Sequence, residues 1–153
     1  MRSTIRIAGI QKLSLNNGYG CRIVVFVQGC DHRCFNCQNP DTWDPNGGTE
    51  IRISDLAELI QRELNKHPLD GVTLSGGDPF YQEEECAELL RILGTHVDVW
   101  CYTGYEYNEI KDSPLSRLCD FLVCGPYIDE KKCEGRLYGS SNQYIVRRKK
   151  NEN

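Results

Sequence analysis

The sequence lacks a long hydrophobic run. Its apolar stretch IVVFV, Ile23 to Val27, is far too short to span a bilayer, which takes about 20 apolar residues in a helix. The N-terminal residues MRSTIRIAGIQKLSLNNG contain no continuous apolar core, so no signal peptide is expected. We therefore expect a cytoplasmic protein with no membrane partner.

The sequence also lacks an excess of positive charge. Its 153 residues include 18 Lys and Arg against 22 Asp and Glu, a formal net charge of −4. Such a chain is not drawn to a phosphate backbone, so no nucleic-acid partner is expected. There is no P-loop, no dinucleotide fingerprint and no internal repeat. The length predicts one domain over 1–153, in which 147–153 forms a basic polar tail.

Cysteine, by contrast, is abundant. Nine cysteines occur in the chain, and an odd number without a secretion signal argues against a disulfide framework. Clustered cysteines in a reducing compartment more often bind metal or carry out redox chemistry. The segment CDHRCFNC brings together Cys30, Cys34 and Cys37, and the other six are scattered at positions 21, 86, 101, 119, 124 and 133.

Strand-like and helix-like segments alternate along the chain. Runs rich in β-branched and apolar residues predict strands over 4–10, 22–28, 71–77, 96–104, 120–125 and 142–148. Apolar periodicity predicts one helix from an N-cap at Ser54 to Pro68, a second from Asp78-Pro79 to Gly94, and short helical segments over 105–118. Residues 40–50 are predicted to be a loop. This alternation predicts an α/β fold with a mostly parallel sheet.

The cysteine segment and the sequence SGGDP each directly follow a predicted strand. Ligands of α/β sheets lie beyond the carboxyl ends of the strands. The two segments can therefore share one site, although about 40 residues separate them in sequence.

Three clustered thiols leave two metal chemistries open. Iron–sulfur clusters are held by cysteine thiolates, and three ligands on a four-iron cluster leave one iron available to a substrate. A structural zinc site would need a distant fourth ligand. His32 is available, but its closeness to the cysteines would strain a tetrahedral site. The spacing alone favours the cluster over zinc.

Several motifs resemble those of one family. The C-x3-C-x2-C spacing is similar to the cluster loop of radical S-adenosylmethionine enzymes. The segments CDHRCFNCQNPDTW, VTLSGGDP, WCYTGY, FLVCGPY and GSSNQ, spread over roughly 6–146, resemble the activating proteins of anaerobic ribonucleoside-triphosphate reductase. The resemblance implies a shortened, open (β/α) partial barrel of the radical S-adenosylmethionine type.

The resemblance also implies a cofactor site. A 4Fe–4S cluster would be held by Cys30, Cys34 and Cys37, and its open iron would bind S-adenosyl-L-methionine. The methionine end of that cofactor would contact Ser75, Gly76, Gly77 and Asp78, and its adenosine would lie along Asn36, Cys37 and Gln38. Glycines let backbone approach a ligand closely, although the same residues also suit a plain strand-to-helix turn. No further catalytic residue is implied.

The implied reaction is the formation of a glycyl radical. Reductive cleavage of S-adenosyl-L-methionine would give a 5′-deoxyadenosyl radical, which would take a hydrogen from a glycine of the reductase under anaerobic conditions. Reduced flavodoxin or a similar donor would supply the electron. Two alternatives remain: an activase of another glycyl-radical enzyme, such as pyruvate formate-lyase, and a zinc-binding module without enzymatic activity.

The remaining candidates are expected to be structural. Cys86 and Cys101 lie in apolar patterns and are predicted to be core residues. A second metal site made by Cys21, Cys119, Cys124 and Cys133 is not predicted, because their spacing has no paired C-x2-C signature. Trp43 is expected to pack, and the Thr103 hydroxyl to bond either the cofactor or its own turn.

Overall fold

Seven extended segments pair into one sheet in the part of the chain that the structure, a computed structural model, describes: residues 3–30, 32, 42–134 and 137–148. The strands are β1 (Thr4–Ser14), β2 (Arg22–Val27), β3 (Thr49–Arg52), β4 (Gly71–Gly76), β5 (Asp98–Tyr102), β6 (Phe121–Cys124) and β7 (Tyr144–Arg147). The α-helices are α1 (Ile53–Lys66), α2 (Glu83–Leu93), α3 (Tyr107–Ile110) and α4 (Pro114–Arg117). The strand order is β3-β1-β2-β4-β5-β6-β7.

The sheet is mixed rather than mostly parallel, which corrects the prediction. Strands β2, β4, β5 and β6 are parallel neighbours, but β1 is antiparallel to β2 and β3, and β7 is antiparallel to β6. The connection from β1 to β2 is too short for anything but an antiparallel pair, since a parallel crossover takes a dozen or more residues. With β3 and β7 as its two edges, the described sheet is open, as expected.

The two faces of the sheet are divided by side-chain alternation. Val25 and Leu74 belong to the hydrophobic core that also contains Leu89 of α2. Their neighbours in sequence, Phe26 and Ser75, line a cavity on the opposite face. Successive strand residues point to opposite faces, so one face packs against the helices and the other is left for a ligand.

The turn between β1 and β2 packs on the cavity-bearing face of the sheet, at the amino-terminal half of the parallel strands. The Thr73 hydroxyl donates to the carbonyl of Asn17 at 2.6 Å. The Arg22 guanidinium, fully buried, donates to the carbonyl of Tyr19 at 3.0 Å and to the carboxylate of Asp98 at 2.8 Å. The turn closes the amino-terminal end of this face and leaves the carboxyl end of the parallel strands for the cavity.

Two predictions around α1 are wrong. The helix begins at Ile53 with Arg52 as its N-cap residue and no side-chain cap, whereas Ser54 was the predicted cap. Residues 49 and 50, predicted as loop, belong to β3. The cause is shared: β3 pairs with β1 and runs directly into the helix, so tertiary pairing overrides the local cap and turn signals.

The remaining helices agree more closely with the predictions made from the sequence. The face Cys86, Leu89, Leu90 and Leu93 of α2 is buried, and Gly94 is the C-cap. A 3₁₀ turn over Pro79–Gln82, capped by the Asp78 side chain, precedes α2, so the helix starts four residues later than predicted. The helices α3 and α4 confirm the short helical segments that were predicted over 105–118.

At the carboxyl-terminal end, the predicted basic tail starts inside the sheet. Arg147 closes β7, and Arg148 donates to the Tyr107 hydroxyl and the Lys111 carbonyl, each at 2.8 Å. The segment after residue 148 lies outside the described residues. Within the described part of the chain, no helix has both the length and the apolar character needed to cross a bilayer.

The packing of α2 predicts a contrast between two of its apolar residues. Leu89 is fully buried, whereas Ile92 is 44% exposed. We expect Leu89→Ala to lower the free energy of unfolding by about 2–5 kcal/mol because it leaves a cavity. The control Ile92→Ala is expected to change it by less than about 0.5 kcal/mol. Urea unfolding of the two variants checks this, and similar losses in both would contradict the assigned helix face.

Candidate cofactor site

A cavity of about 570 Å³ lies at the carboxyl ends of β2, β4 and β5. Its volume falls in the range of small-molecule sites, and its position is the usual one for ligands of α/β sheets. Among its lining residues are Cys30 from the end of β2 and Ser75, Gly76, Gly77 and Asp78 from the end of β4. Cys30 of the cysteine segment and the SGGDP turn therefore lie around one cavity.

The described part of the chain contains five of the nine predicted site residues. Cys30 is 7% exposed and Asp78 is 2% exposed, whereas Ser75, Gly76 and Gly77 are intermediate. The other predicted ligands and contacts, Cys34, Asn36, Cys37 and Gln38, lie outside the described residues. Their roles stay predictions.

The two glycines of the SGGDP turn permit close packing between the turn and the end of β2. The backbone N–H of Gly77 donates to the carbonyl of Val27 at 2.9 Å. Gly76 has a φ of +111°, and a Cβ there would lie 2.5 Å from backbone atoms of Val27. A Cβ on Gly77 would overlap the carbonyl oxygen of Gly29. The glycines thus bring the turn against the residues that lead into Cys30.

Asp78 occupies the centre of the polar network beside the cavity. Its carboxylate accepts from the backbone N–H of Phe80 at 3.0 Å, from the Thr103 hydroxyl at 2.9 Å and from the backbone N–H of Gly104 at 2.9 Å. The Nε2 atom of His32 lies 2.7 Å from Oδ2. The Thr103 hydroxyl therefore donates a hydrogen bond to the SGGDP turn on the neighbouring strand end. A buried carboxylate needs such donors to offset its lost hydration.

The opposite wall of the cavity is braced by the GSSNQ motif. The side-chain oxygen of Gln143 accepts from the backbone N–H groups of Gly139 and Ser140 at 2.8 and 3.0 Å. Its amide nitrogen donates to the carbonyl of Gly125 at 3.0 Å. The amide of Asn142 donates to the carbonyl of Pro126 at 2.8 Å. These bonds fix the segment after β6 against the end of that strand.

A tyrosine joins this wall to the sheet. The Tyr102 hydroxyl, at the end of β5, donates to the carbonyl of Leu137, and both residues line the cavity. Burial raises the pKa of Tyr102 to about 12. The phenol therefore stays protonated at neutral pH and remains a donor.

Sequence reasoning missed several residues that line the cavity, namely His32, Tyr127, Lys132, Glu134 and Leu137. His32 was considered only as a zinc ligand, yet its Nε2 faces Asp78. The segment carrying the other four has neither helical nor strand periodicity, so no pattern places it over the sheet. Trp43, expected to pack, is partly buried, and its carbonyl accepts from the backbone N–H of Cys30 at 3.3 Å.

The cysteines outside the motif are mostly structural. Cys86 and Cys101 are fully buried in the core, which confirms their interpretation, and so are Cys119 and Cys124. Burial raises the pKa of Cys124 to about 12. Cys133 is partly buried and lines the cavity. Among the residues that the structure describes, no group of three or more His, Cys, Asp or Glu could hold a metal ion.

Comparisons with known proteins cover most of the chain. Residues 16–146 match a family model described as a 4Fe-4S single cluster domain. The chain is 35% identical over 134 residues to an anaerobic ribonucleoside-triphosphate reductase-activating protein of Enterobacteria phage T4, covering 84% of this chain and 85% of the phage protein. It is 37% identical over 115 residues to a pyruvate formate-lyase-activating enzyme of Clostridium pasteurianum, covering 69% of this chain but only 47% of that enzyme.

The fold is similar to that of a solved structure. The crystal structure of QueE from Escherichia coli matches with a TM-score of 0.50 and 19% sequence identity. The match covers 66% of this chain and 52% of QueE, so about two thirds of this chain corresponds to about half of that protein. At this identity the likeness concerns the fold alone.

The packing of the SGGDP turn predicts that Gly77→Ala is costly. The new methyl group would overlap the carbonyl of Gly29, and overpacking of this kind costs about 1–3 kcal/mol. Gly9→Ala is the matched control, because a Cβ at Gly9 would meet nothing within 4 Å. Urea unfolding should show a loss only for Gly77→Ala. Equal stability of the two variants would mean that the turn does not press against the end of β2.

Proposed function

Given that this chain belongs to the family of anaerobic ribonucleoside-triphosphate reductase-activating proteins, we propose that it generates the glycyl radical of such a reductase by reductive cleavage of S-adenosyl-L-methionine at a 4Fe–4S cluster. The observation that carries the proposal is the meeting of Cys30 and the Ser75–Asp78 turn around one cavity of about 570 Å³.

The residues present fit both groups. Cys30 supplies a thiol in the cavity wall, and thiolates are the ligands of 4Fe–4S clusters. Cys34 and Cys37 would complete the set of three, since they follow within seven residues. A cluster held there would supply the electron for reductive cleavage of S-adenosyl-L-methionine, which would yield the 5′-deoxyadenosyl radical that takes a hydrogen from glycine.

The chain's own residues bind and orient the cofactor. The Ser75–Gly77 backbone, without bulky side chains at the two glycines, would receive the ammonium and carboxylate of the methionine end. Asn36, Cys37 and Gln38 would lie along the adenosine. The Asp78 carboxylate already accepts from four protein donors, so its part is to hold the turn in place.

The proposed partners follow from the proposed activity. The cavity lies at the mouth of an open sheet, which suits a substrate that is a glycine in another protein. Reduced flavodoxin or a similar carrier would deliver the electron, in an anaerobic cytoplasm. Likeness to the clostridial pyruvate formate-lyase-activating enzyme makes another glycyl-radical enzyme the second candidate for the partner.

The cluster assignment predicts the effect of removing each ligand. Cys30→Ser, Cys34→Ser and Cys37→Ser should each abolish formation of 5′-deoxyadenosine, because a hydroxyl does not replace a cluster thiolate. The assay uses anaerobically reconstituted protein, dithionite and S-adenosyl-L-methionine, with chromatography of the product. Cys86→Ala is the control, since Cys86 is fully buried in the helix-facing core, and it should keep activity.

Either of two results would contradict this assignment. Turnover retained in any of the three serine variants would remove that cysteine from the ligand set. Bound zinc without sulfide in the reconstituted wild-type protein would instead favour the non-enzymatic zinc module. Iron and sulfide analysis, made on the same samples, distinguishes the two.

The partner assignment predicts a glycyl radical on one substrate protein. Mixing the reduced, cofactor-loaded protein with an anaerobic ribonucleoside-triphosphate reductase should produce a glycyl-radical signal in the electron paramagnetic resonance (EPR) spectrum. A reductase whose radical-bearing glycine is replaced by alanine should give none. A signal with pyruvate formate-lyase and none with the reductase would move the assignment to the second candidate.

A further inference from the structure

His32 lies between the first two cysteines of the loop, and its side chain reaches across to the SGGDP turn. Its Nε2 atom is 2.7 Å from Oδ2 of Asp78, and the side chain is 20% exposed. Its ring meets that of Tyr105 edge-on, with centroids 4.6 Å apart. The imidazole is therefore held between the ends of β4 and β5.

The carboxylate that receives His32 is itself immobilised. Asp78 is 2% exposed, and its remaining acceptor positions are taken by Phe80, Thr103 and Gly104. Its backbone N–H also donates to the carbonyl of Gly29 at 2.8 Å. A side chain that hydrogen-bonds to the Asp78 carboxylate is therefore linked through it to the ends of both β2 and β5.

The backbone opposite His32 leaves room for the imidazole. A Cβ added to Gly104 would lie 2.7 Å from Cδ2 of the His32 ring and 2.9 Å from Cγ. No positive φ requires glycine at this position. The space at Gly104 is therefore explained by the imidazole rather than by the backbone.

We propose that His32 is a positioning residue whose imidazole, held by Asp78, anchors the cysteine loop and so sets the place of the iron–sulfur cluster relative to the Ser75–Asp78 turn. This inference rests on the proposed function. His32 is the second residue after Cys30, so its contact with Asp78 would fix the chain beside this proposed ligand relative to the Ser75–Asp78 turn. Misplacement by about 1 Å can cost a hundredfold in rate.

The test compares His32→Leu, His32→Gln and Gly104→Ala with the wild-type protein. His32→Leu removes the donor to Asp78, whereas the amide of His32→Gln keeps one near the position of Nε2. Gly104→Ala leaves His32 in place but displaces its ring. His67→Leu, at an exposed residue after α1, is the control for loss of a histidine.

Three measurements are made on each anaerobically reconstituted variant: iron and sulfide per chain, the EPR spectrum of the reduced cluster with increasing S-adenosyl-L-methionine, and kcat and KM for 5′-deoxyadenosine formation. For His32→Leu and Gly104→Ala we expect an altered cluster spectrum and at least a tenfold weaker response to the cofactor. For His32→Gln we expect values within about threefold of wild type, and for His67→Leu no change.

The outcomes separate the possible roles of His32. An altered cluster spectrum and a weaker cofactor response in His32→Leu and Gly104→Ala, with near wild-type values in His32→Gln, support the anchor. Loss of iron in both, with normal iron in Gly104→Ala, makes the imidazole a metal ligand and overturns it. Wild-type spectra and KM in His32→Leu and Gly104→Ala also overturn it. If a His32 variant fails to fold by circular dichroism, Gly104→Ala alone decides.

Failure of the proposed function looks different from failure of this inference. The first is seen in the wild-type protein, which would then hold no four-iron cluster or cleave no cofactor, and the inference would fall with it. The second leaves the wild-type protein active and the His32 and Gly104 variants indistinguishable from it.

Discussion

The site depends on the joining of two strand ends by backbone hydrogen bonds. Gly77 and Asp78 donate to the carbonyls of Val27 and Gly29 at 2.9 and 2.8 Å, so the end of β4 is attached to the residues that lead into Cys30. This attachment requires the absence of side chains at Gly76 and Gly77. Gly76 and Gly77 are therefore required by the packing of the chain itself, independently of any contact with a ligand. The residues that precede Cys30 and the SGGDP turn are thus joined by the chain's own backbone.

Asp78 extends this constraint to a third strand. Burying a carboxylate is unfavourable unless donors replace its water, and here they come from the turn itself, from the end of β5 and from His32. Because the donors belong to separate parts of the chain, satisfying one charge aligns all of them. The physical role of the acidic residue in SGGDP is then to organise the site, while the backbone before it faces the cavity.

The sequence predicts most of the elements, and its motifs predict the family, which the comparisons confirm. The sequence pattern predicted burial correctly where apolar residues recur with helical periodicity, as at Leu89 and Leu93 of α2. It failed where a distant partner decides: β3 forms only because β1 pairs with it, and this pairing moves the start of α1 ahead of Ser54. His32 could not be assigned for the same reason, since its partner Asp78 lies 46 residues away.

The openness of the sheet follows from its edges and bears on the kind of substrate. With β7 antiparallel to β6 and β3 antiparallel to β1, the described sheet ends without closing on itself. The wall opposite the cysteine loop is then supplied by an irregular segment, which needs Gln143 and Tyr102 to hold it to β6 and β5. An open sheet with one wall held in this way is consistent with the proposed substrate, a glycine in another protein.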